Sequence, residues 1–230
     1  MIRSKAKYLL KAVAPSKVLQ SRMHKRVFKE FADKVGLVYF GYVDQRTDEH
    51  RLVRGLTLSP HHRDNHYCIG TFQKYDITLV ERTDTIKFPG KSPKNHTWVI
   101  MEFDLHTRSD LPHIFLGLHG HHEIFYAQLF TKFATLTKVP LGTFGAYDPG
   151  FTSRYAIYTE PAKSLEAEQI FDQTTAKIIA ERFGSLTIEI SANCLYLYAE
   201  HQRPTEALLE RMLKYGVWLA ESIDTRTDQR

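Results

Sequence analysis

The chain reads as an α+β protein, a mostly antiparallel sheet of about six to nine strands packed by four helices. Three observations lead there. Runs rich in β-branched and aromatic residues are grouped from Leu37 to about Gly117, with helical periodicity mostly before and after them. The segments between those runs carry Asp, Asn, Gly, Pro and Ser, and the short connection at Gln73–Lys74 implies adjacent antiparallel strands. The composition, 43% apolar and 25% charged over 230 residues, is that of a globular chain long enough to bury a core without disulfide staples.

The elements follow in order. Residues 2–14 predict a short helix with Tyr8, Leu9, Leu10 and Val13 on an apolar side and Lys5, Lys7 and Lys11 beside or opposite it. That pattern suits a membrane surface, and it also suits a helix packed on the body or a frayed terminus. Pro15 interrupts it, and Ser16 can cap a second helix in which Leu19, Met23, Val27, Phe31 and Val35 recur every four residues up to Gly36. Strands are expected at 37–43, 51–58, 66–73, 75–82, 97–105 and 113–118, with 88–96 as an exposed loop holding two prolines. Helical spacing returns at 122–137, through Phe125, Leu129, Phe133 and Leu136. Residues 139–152, rich in Gly and Pro, are a loop or an irregular strand. A strand at 154–159 leads into a helix at about 164–183. Runs 186–191 and 194–199 flank Ala192–Asn193 as a hairpin, and a last helix spans 205–222. The expected organisation is a basic amphipathic segment over 1–14, a single domain over 15–224 with a subdivision conceivable near 139–152, and a loose tail over 225–230.

The formal net charge of +5 is unevenly placed. Residues 1–35 hold ten basic and two acidic side chains, a net +8, while the other 195 residues hold 21 basic and 24 acidic ones, a net −3. Such a segment attracts lipid headgroups or nucleic acid. Lys11 cuts short any secretory h-region and residue 2 is Ile, so neither a signal peptide nor a myristoylation pattern is expected. No run reaches the roughly 18 apolar residues of a spanning helix. Two cysteines, Cys68 and Cys194, exclude a disulfide scaffold and a four-cysteine zinc site. These features point to a cytoplasmic chain.

Histidine is the conspicuous chemical feature, with 12 copies. Six form two clusters, His61, His62 and His66, and His119, His121 and His122. Neutral imidazole is the commonest transition-metal ligand, and Asp64 and Glu123 stand close in sequence to add carboxylate. The second cluster partly resembles the metallo-β-lactamase motif His-x-His-x-Asp-His, but Glu123 replaces its Asp and Ile124 its last His, so that family is rejected. Otherwise these are loop and helix-start histidines that cap or face water. Cys68 and His66 would share a face of a regular strand as a thiol–imidazole couple, although a cysteine between Tyr67 and Ile69 reads more simply as a small buried residue. Glu102 and Asp104 project to one face, most simply a solvated one. Nucleophile elbows and phosphate-binding loops are absent from the sequence.

The segments FTSRYAIYT (151–159), IEISANCLYLY (188–198), GYVDQRTDEHRLVRGLTLSP and GTFQKYDITLVERT resemble bacterial proteins of the domain-of-unknown-function type, over most of residues 37–222. The resemblance implies a soluble bacterial α+β protein, sometimes beside a membrane-anchoring segment, and carries over no catalytic residue. Together with the charge asymmetry it favours a non-enzymatic binding or scaffold module on the inner membrane face. Lys5, Lys7, Lys11, Lys17, Arg22, Lys25 and Arg26 would supply charge, and Leu9, Leu10 and Val13 apolar contact. The partner would be an anionic membrane surface or an unidentified protein. One rival is a metal-dependent hydrolase with zinc or another transition metal on the clustered histidines. The other is a nucleic-acid-binding protein.

Overall fold

Alternation with period two runs through the longest strands, and it decides which residues face the helices. The computed structural model describes residues 21–42, 62–86, 90, 92–107, 110–120, 130 and 134–227. The expected helix over 2–14 and strand over 51–58 lie outside these. Helix α1 occupies residues 21–35. The strands are β1 (Val38–Gly41), β2 (His62–Phe72), β3 (Tyr75–Ile86), β4 (Lys94–Asp104), β5 (Ile114–Leu118), β6 (Thr137–Lys138), β7 (Tyr155–Thr159), β8 (Leu186–Ser191) and β9 (Cys194–Glu200). Four more helices are α2 (Pro149–Thr152), α3 (Ser164–Ile170), α4 (Gln173–Arg182) and α5 (Glu206–Thr227).

All nine strands join one sheet in the order β1-β2-β3-β4-β9-β8-β5-β7-β6, with antiparallel neighbours throughout. The α+β architecture and the antiparallel sheet are as the sequence predicts. Tyr75, Ile77 and Leu79 of β3, Val99, Met101 and Phe103 of β4, and Leu195, Leu197 and Ala199 of β9 all enter the main core under the helices. Helix α1 adds Phe28, Phe31 and Ala32 to that core, and α5 adds Leu209, Met212 and Leu219. At the far end of α5, Asp224 accepts from the Tyr75 hydroxyl at 2.7 Å and from the His106 backbone N–H at 3.0 Å, which ties the helix to the start of β3.

Two turns explain the tight strand pairings. β2 and β3 pair from Phe72↔Tyr75 across Gln73–Lys74, and Gln73 has φ 56°. β8 and β9 close across Ala192 and Asn193, both in the left-handed region at φ 50° and 59°, as a two-residue primed turn requires.

Four expectations need correction. The helix expected over 164–183 is two helices. Phe171 leaves helical geometry at φ −103°, ψ 61°, and the Asp172 side chain caps α4 by accepting from the Thr175 N–H at 2.8 Å. The apolar period bridges this break because Phe171 itself is fully buried. The helix expected to reach 137 gives way to strand β6 at Thr137–Lys138, while 121–129 and 131–133 lie outside the described residues. Residues 94–96, expected in a loop, begin β4. Finally, α5 continues to Thr227, so residues 225–227 are not a loose tail. Arg226 holds Asp172 at 3.0 Å and donates to the Ile170 carbonyl at 2.8 Å.

The sheet and α5 approach so closely at one point that only glycine fits. A Cβ at Gly216 would sit 2.1 Å from Cζ of Phe103, a fully buried ring. Gly216→Ala gains about 1 kcal/mol of helix propensity but overpacks the core, a change that costs about 1–3 kcal/mol and more where a ring cannot move. The variant is expected to be net destabilised by about 1–2 kcal/mol in denaturant unfolding, and adding Phe103→Leu should recover most of the loss.

Candidate functional site

Helix α1 carries the described part of the basic segment. Its inner face buries Phe28, Phe31 and Ala32, which leaves Arg22, Lys25 and Arg26 exposed, along with Lys29. Met23 lies among them and is 58% exposed. Arg26 pairs with Glu30 one turn on, an exposed contact of small energetic weight. Lys5, Lys7, Leu9, Leu10, Lys11, Val13 and Lys17 lie outside the described residues. The helix is clamped to the sheet by a polar cluster: His24 Nδ1 is 2.8 Å from Glu81 Oε1, His66 Nε2 is 3.6 Å from Glu81 Oε2, and the Tyr39 hydroxyl is 2.9 Å from His66 Nδ1. Burial, with the charges of His24 and Lys25 nearby, pushes His66 down to about 4, so its imidazole is neutral near pH 7.

Among the described residues, His62 and His66 of the first cluster do not meet. β2 carries a bulge between Asn65 and Cys68, and His66 has φ 59°. In consequence His66 turns under α1, whereas His62 lies 3.8 Å from Asp64 on the opposite face of the sheet. His119 sits beyond the end of β5 with Nε2 3.1 Å from the Thr152 carbonyl. β2 and β5 are five strand spacings apart in the sheet order, about 24 Å, so His62 and His119 as placed do not share an ion. His61, His121 and His122 lie outside the described residues. Cys68 and His66 both lie on the α1 side of the sheet, against Phe28. The Cys68 thiol donates to the Phe28 carbonyl at 3.8 Å and the His66 carbonyl at 3.6 Å.

The face of the sheet away from α1 and α5 is where sequence reasoning fell short. Expected at Glu102 and Asp104 to be solvated, it leaves Asp104 exposed but buries Asp64, Arg82, Asp84, His96, Glu102 and Glu189. Strand register arranges many of these in cross-strand rows. One row runs Asp64–Arg82–Trp98–Glu200 over β2, β3, β4 and β9, and the next runs His62–Asp84–His96 beside it. Directly opposed residues share a face, with Cβ atoms about 4.5–5.5 Å apart. Arg82, fully buried, donates two parallel hydrogen bonds to Asp64, at 2.8 and 2.7 Å, and Tyr67 donates a third to the same carboxylate at 3.1 Å. Trp98 Nε1 donates to Asp84 at 3.0 Å. Burial pushes the Asp84 carboxyl up to about 6 against the pull of Arg82. Farther along, Glu189 accepts from Tyr198 and lies 2.7 Å from His113 Nε2. Phe130 and Leu136 cover part of this face, with Phe130 edge-on to Phe115 at 5.3 Å.

Two groups in this layer have donor sets a metal could use. His96, Glu200 and His201 each place a ligand atom within 4.8 Å of the others, as do Glu102, Asp104 and Cys194. In the second group the Cys194 thiol donates to Asp104 at 3.2 Å, and burial together with Glu102 pushes it up to about 12, which opposes the thiolate a metal needs. The first group needs no such ionisation, because imidazole binds metal when neutral. Alternation in the sequence could have put Asp84 and His96 on one face. Nothing local connects residue 96 to residues 200 and 201.

The fold shown by these elements is similar to that of a solved structure. No protein-family model matches the chain, and no curated protein matches it. The crystal structure of a mycobacterial trehalose monomycolate transport factor A superposes with a TM-score of 0.55 at 10% identity, covering 89% of this chain and 94% of that one. At that identity the likeness establishes a shared fold.

Two predictions follow from the buried groups. Asp64→Ala strands the Arg82 charge in the interior and is expected to cost about 3–5 kcal/mol in equilibrium unfolding. Asp64→Leu combined with Arg82→Met should recover most of that. Burial pushes both Cys68 and Cys194 thiols up to about 12. At pH 8 a thiol of that pKa is about one part in ten thousand thiolate, so a thiol-specific reagent should label the native protein at least about 100-fold more slowly than the unfolded chain.

Proposed function

We propose that this chain is a binding or scaffold module of the bacterial cytoplasm that docks on an anionic lipid surface through its basic N-terminal region. The observation that carries the reading is the outward face of α1. Arg22, Lys25 and Arg26 are exposed on a helix whose opposite side is locked into the core by Phe28, Phe31 and Ala32. A rigid helix presents these charges as a patch, and the lysines at 5, 7, 11 and 17 continue it along the sequence. Each basic residue near an anionic leaflet contributes about 1 kcal/mol. Exposed Met23 supplies an apolar contact within the patch.

Further support comes from what the fold offers. No helix among the described residues is long and apolar enough to cross a membrane, so membrane contact through them would be peripheral. The structural neighbour is described as a transport factor, which accords with a binding role. We read residues 15–224 as one domain. The stretch 139–152, a loop that ends in α2 rather than an irregular strand, lies between β6 and β7, which pair with each other, and this favours continuity across it.

Co-sedimentation with anionic and neutral vesicles tests the proposal. Full-length protein is expected to bind anionic vesicles only, more weakly as salt rises. Replacing Arg22, Lys25 and Arg26 by Gln should weaken binding about 100-fold. Equal binding to neutral vesicles, or none at low salt, overturns the reading. Absent vesicle binding with steeply salt-dependent binding to duplex DNA would instead assign the patch to nucleic acid.

A further inference from the structure

We infer that the corner formed by His96, Glu200 and His201, on the face of the sheet opposite α1, is a binding site for a divalent transition-metal ion of the zinc class. The site is independent of the membrane reading and of the histidine clusters apparent in the sequence. Its geometry comes from the seam between β4 and β9. Glu200 is the last residue of β9 and stands opposite Trp98, so its side chain shares a face with Trp98 and, two residues back, His96. His96 Nε2 lies 2.9 Å from Glu200 Oε1.

His201 follows Glu200, and in an extended strand its ring would point to the other face. It does not, because its backbone turns into the left-handed region at φ 50° while its N–H still donates to the Thr97 carbonyl at 2.9 Å. That turn brings the imidazole of His201 against that of His96, with ring centroids 4.1 Å apart. Left-handed geometry is uncommon outside glycine, and such outliers concentrate at functional sites.

Two imidazoles and a carboxylate make the donor set preferred by Zn2+ and its first-row neighbours. Metal–ligand bonds of about 2.0–2.2 Å place tetrahedral donors about 3.3–3.6 Å apart. The three side chains, already within 4.8 Å of one another, reach that spacing by small side-chain rotations. The surroundings match those of ligating histidines. Thr97 Oγ1 lies 3.3 Å from His201 Nδ1, a contact that orients the ring, and His96 packs on Trp98 at 4.4 Å. Asp84 stands opposite His96 in register, is fully buried, and its Oδ1 has no hydrogen-bond partner among the described residues. Its carboxylate adds negative charge on the His96 side of the site. His201, exposed, gives the ion its route from solvent.

The test uses full-length protein carrying no histidine tag, stripped with chelator and titrated with Zn2+ by calorimetry. The expected result is one saturable equivalent per chain, with Tm raised by about 5–10 °C at free Zn2+ a hundredfold above Kd. His201→Ala, at an exposed position, keeps the native circular dichroism spectrum and should weaken binding at least tenfold. His119→Ala should leave it unchanged. Co2+ in place of Zn2+ should give visible absorption bands that His201→Ala removes. The inference is overturned if no saturable binding occurs, or if His201→Ala binds Zn2+ as tightly as the parent protein.

Discussion

Strict alternation along β3, β4 and β9 is the constraint on which the structure rests. These strands are long and mutually in register, so each residue's parity decides whether it meets the helices or the opposite face. One parity delivers Ile77, Leu79, Met101, Phe103 and Leu197 to the helical core. The other delivers Arg82, Asp84, His96, Glu102 and Glu200 to the far side. A slip of one residue in any of these pairings would exchange the two sets, placing guanidinium and carboxylate groups under α5 and phenylalanine among the ion pairs. Register is therefore specified by the buried charges as well as by the apolar residues.

Charges so placed are costly to desolvate, and those of Asp64, Arg82 and Glu189 are tolerated because each is answered. The Arg82 guanidinium meets the Asp64 carboxylate edge to edge, which satisfies two of its donors with one partner, and Tyr67 occupies a further lone pair of that carboxylate. Glu189 is answered from two strands, by Tyr198 and His113. The aromatic residues of this face, Trp98, Tyr67 and Tyr198, each bring an apolar body and a polar tip, so they fill space and satisfy carboxylates together. The layer is packed and polar at once, unlike either a solvated sheet face or an oily core.

Local signals were enough for much of this. The four-residue spacing of Val27, Phe31 and Val35 described α1, and the Ala192–Asn193 pair described the β8–β9 hairpin, because both depend on neighbours in sequence. The charged layer depends on register, which no local pattern encodes. Residues 64, 82, 98 and 200 become one row only after four strands have paired. The bulge in β2 had the same effect in reverse, separating His62 from His66 although only three residues lie between them. The break at Phe171 escaped notice because a buried phenylalanine keeps the apolar rhythm of a helix while its backbone leaves it.

The central seam has a consequence for the order in which the protein is made. Trp98 and Glu200, paired across β4 and β9, are 102 residues apart in the chain. At about 5–20 residues per second on the ribosome, the first four strands wait about 5–20 s before their partner is synthesised. During that interval β4 is an open edge carrying Val99, Met101 and Phe103, the segment of the newborn chain most in need of shelter until its C-terminal third arrives.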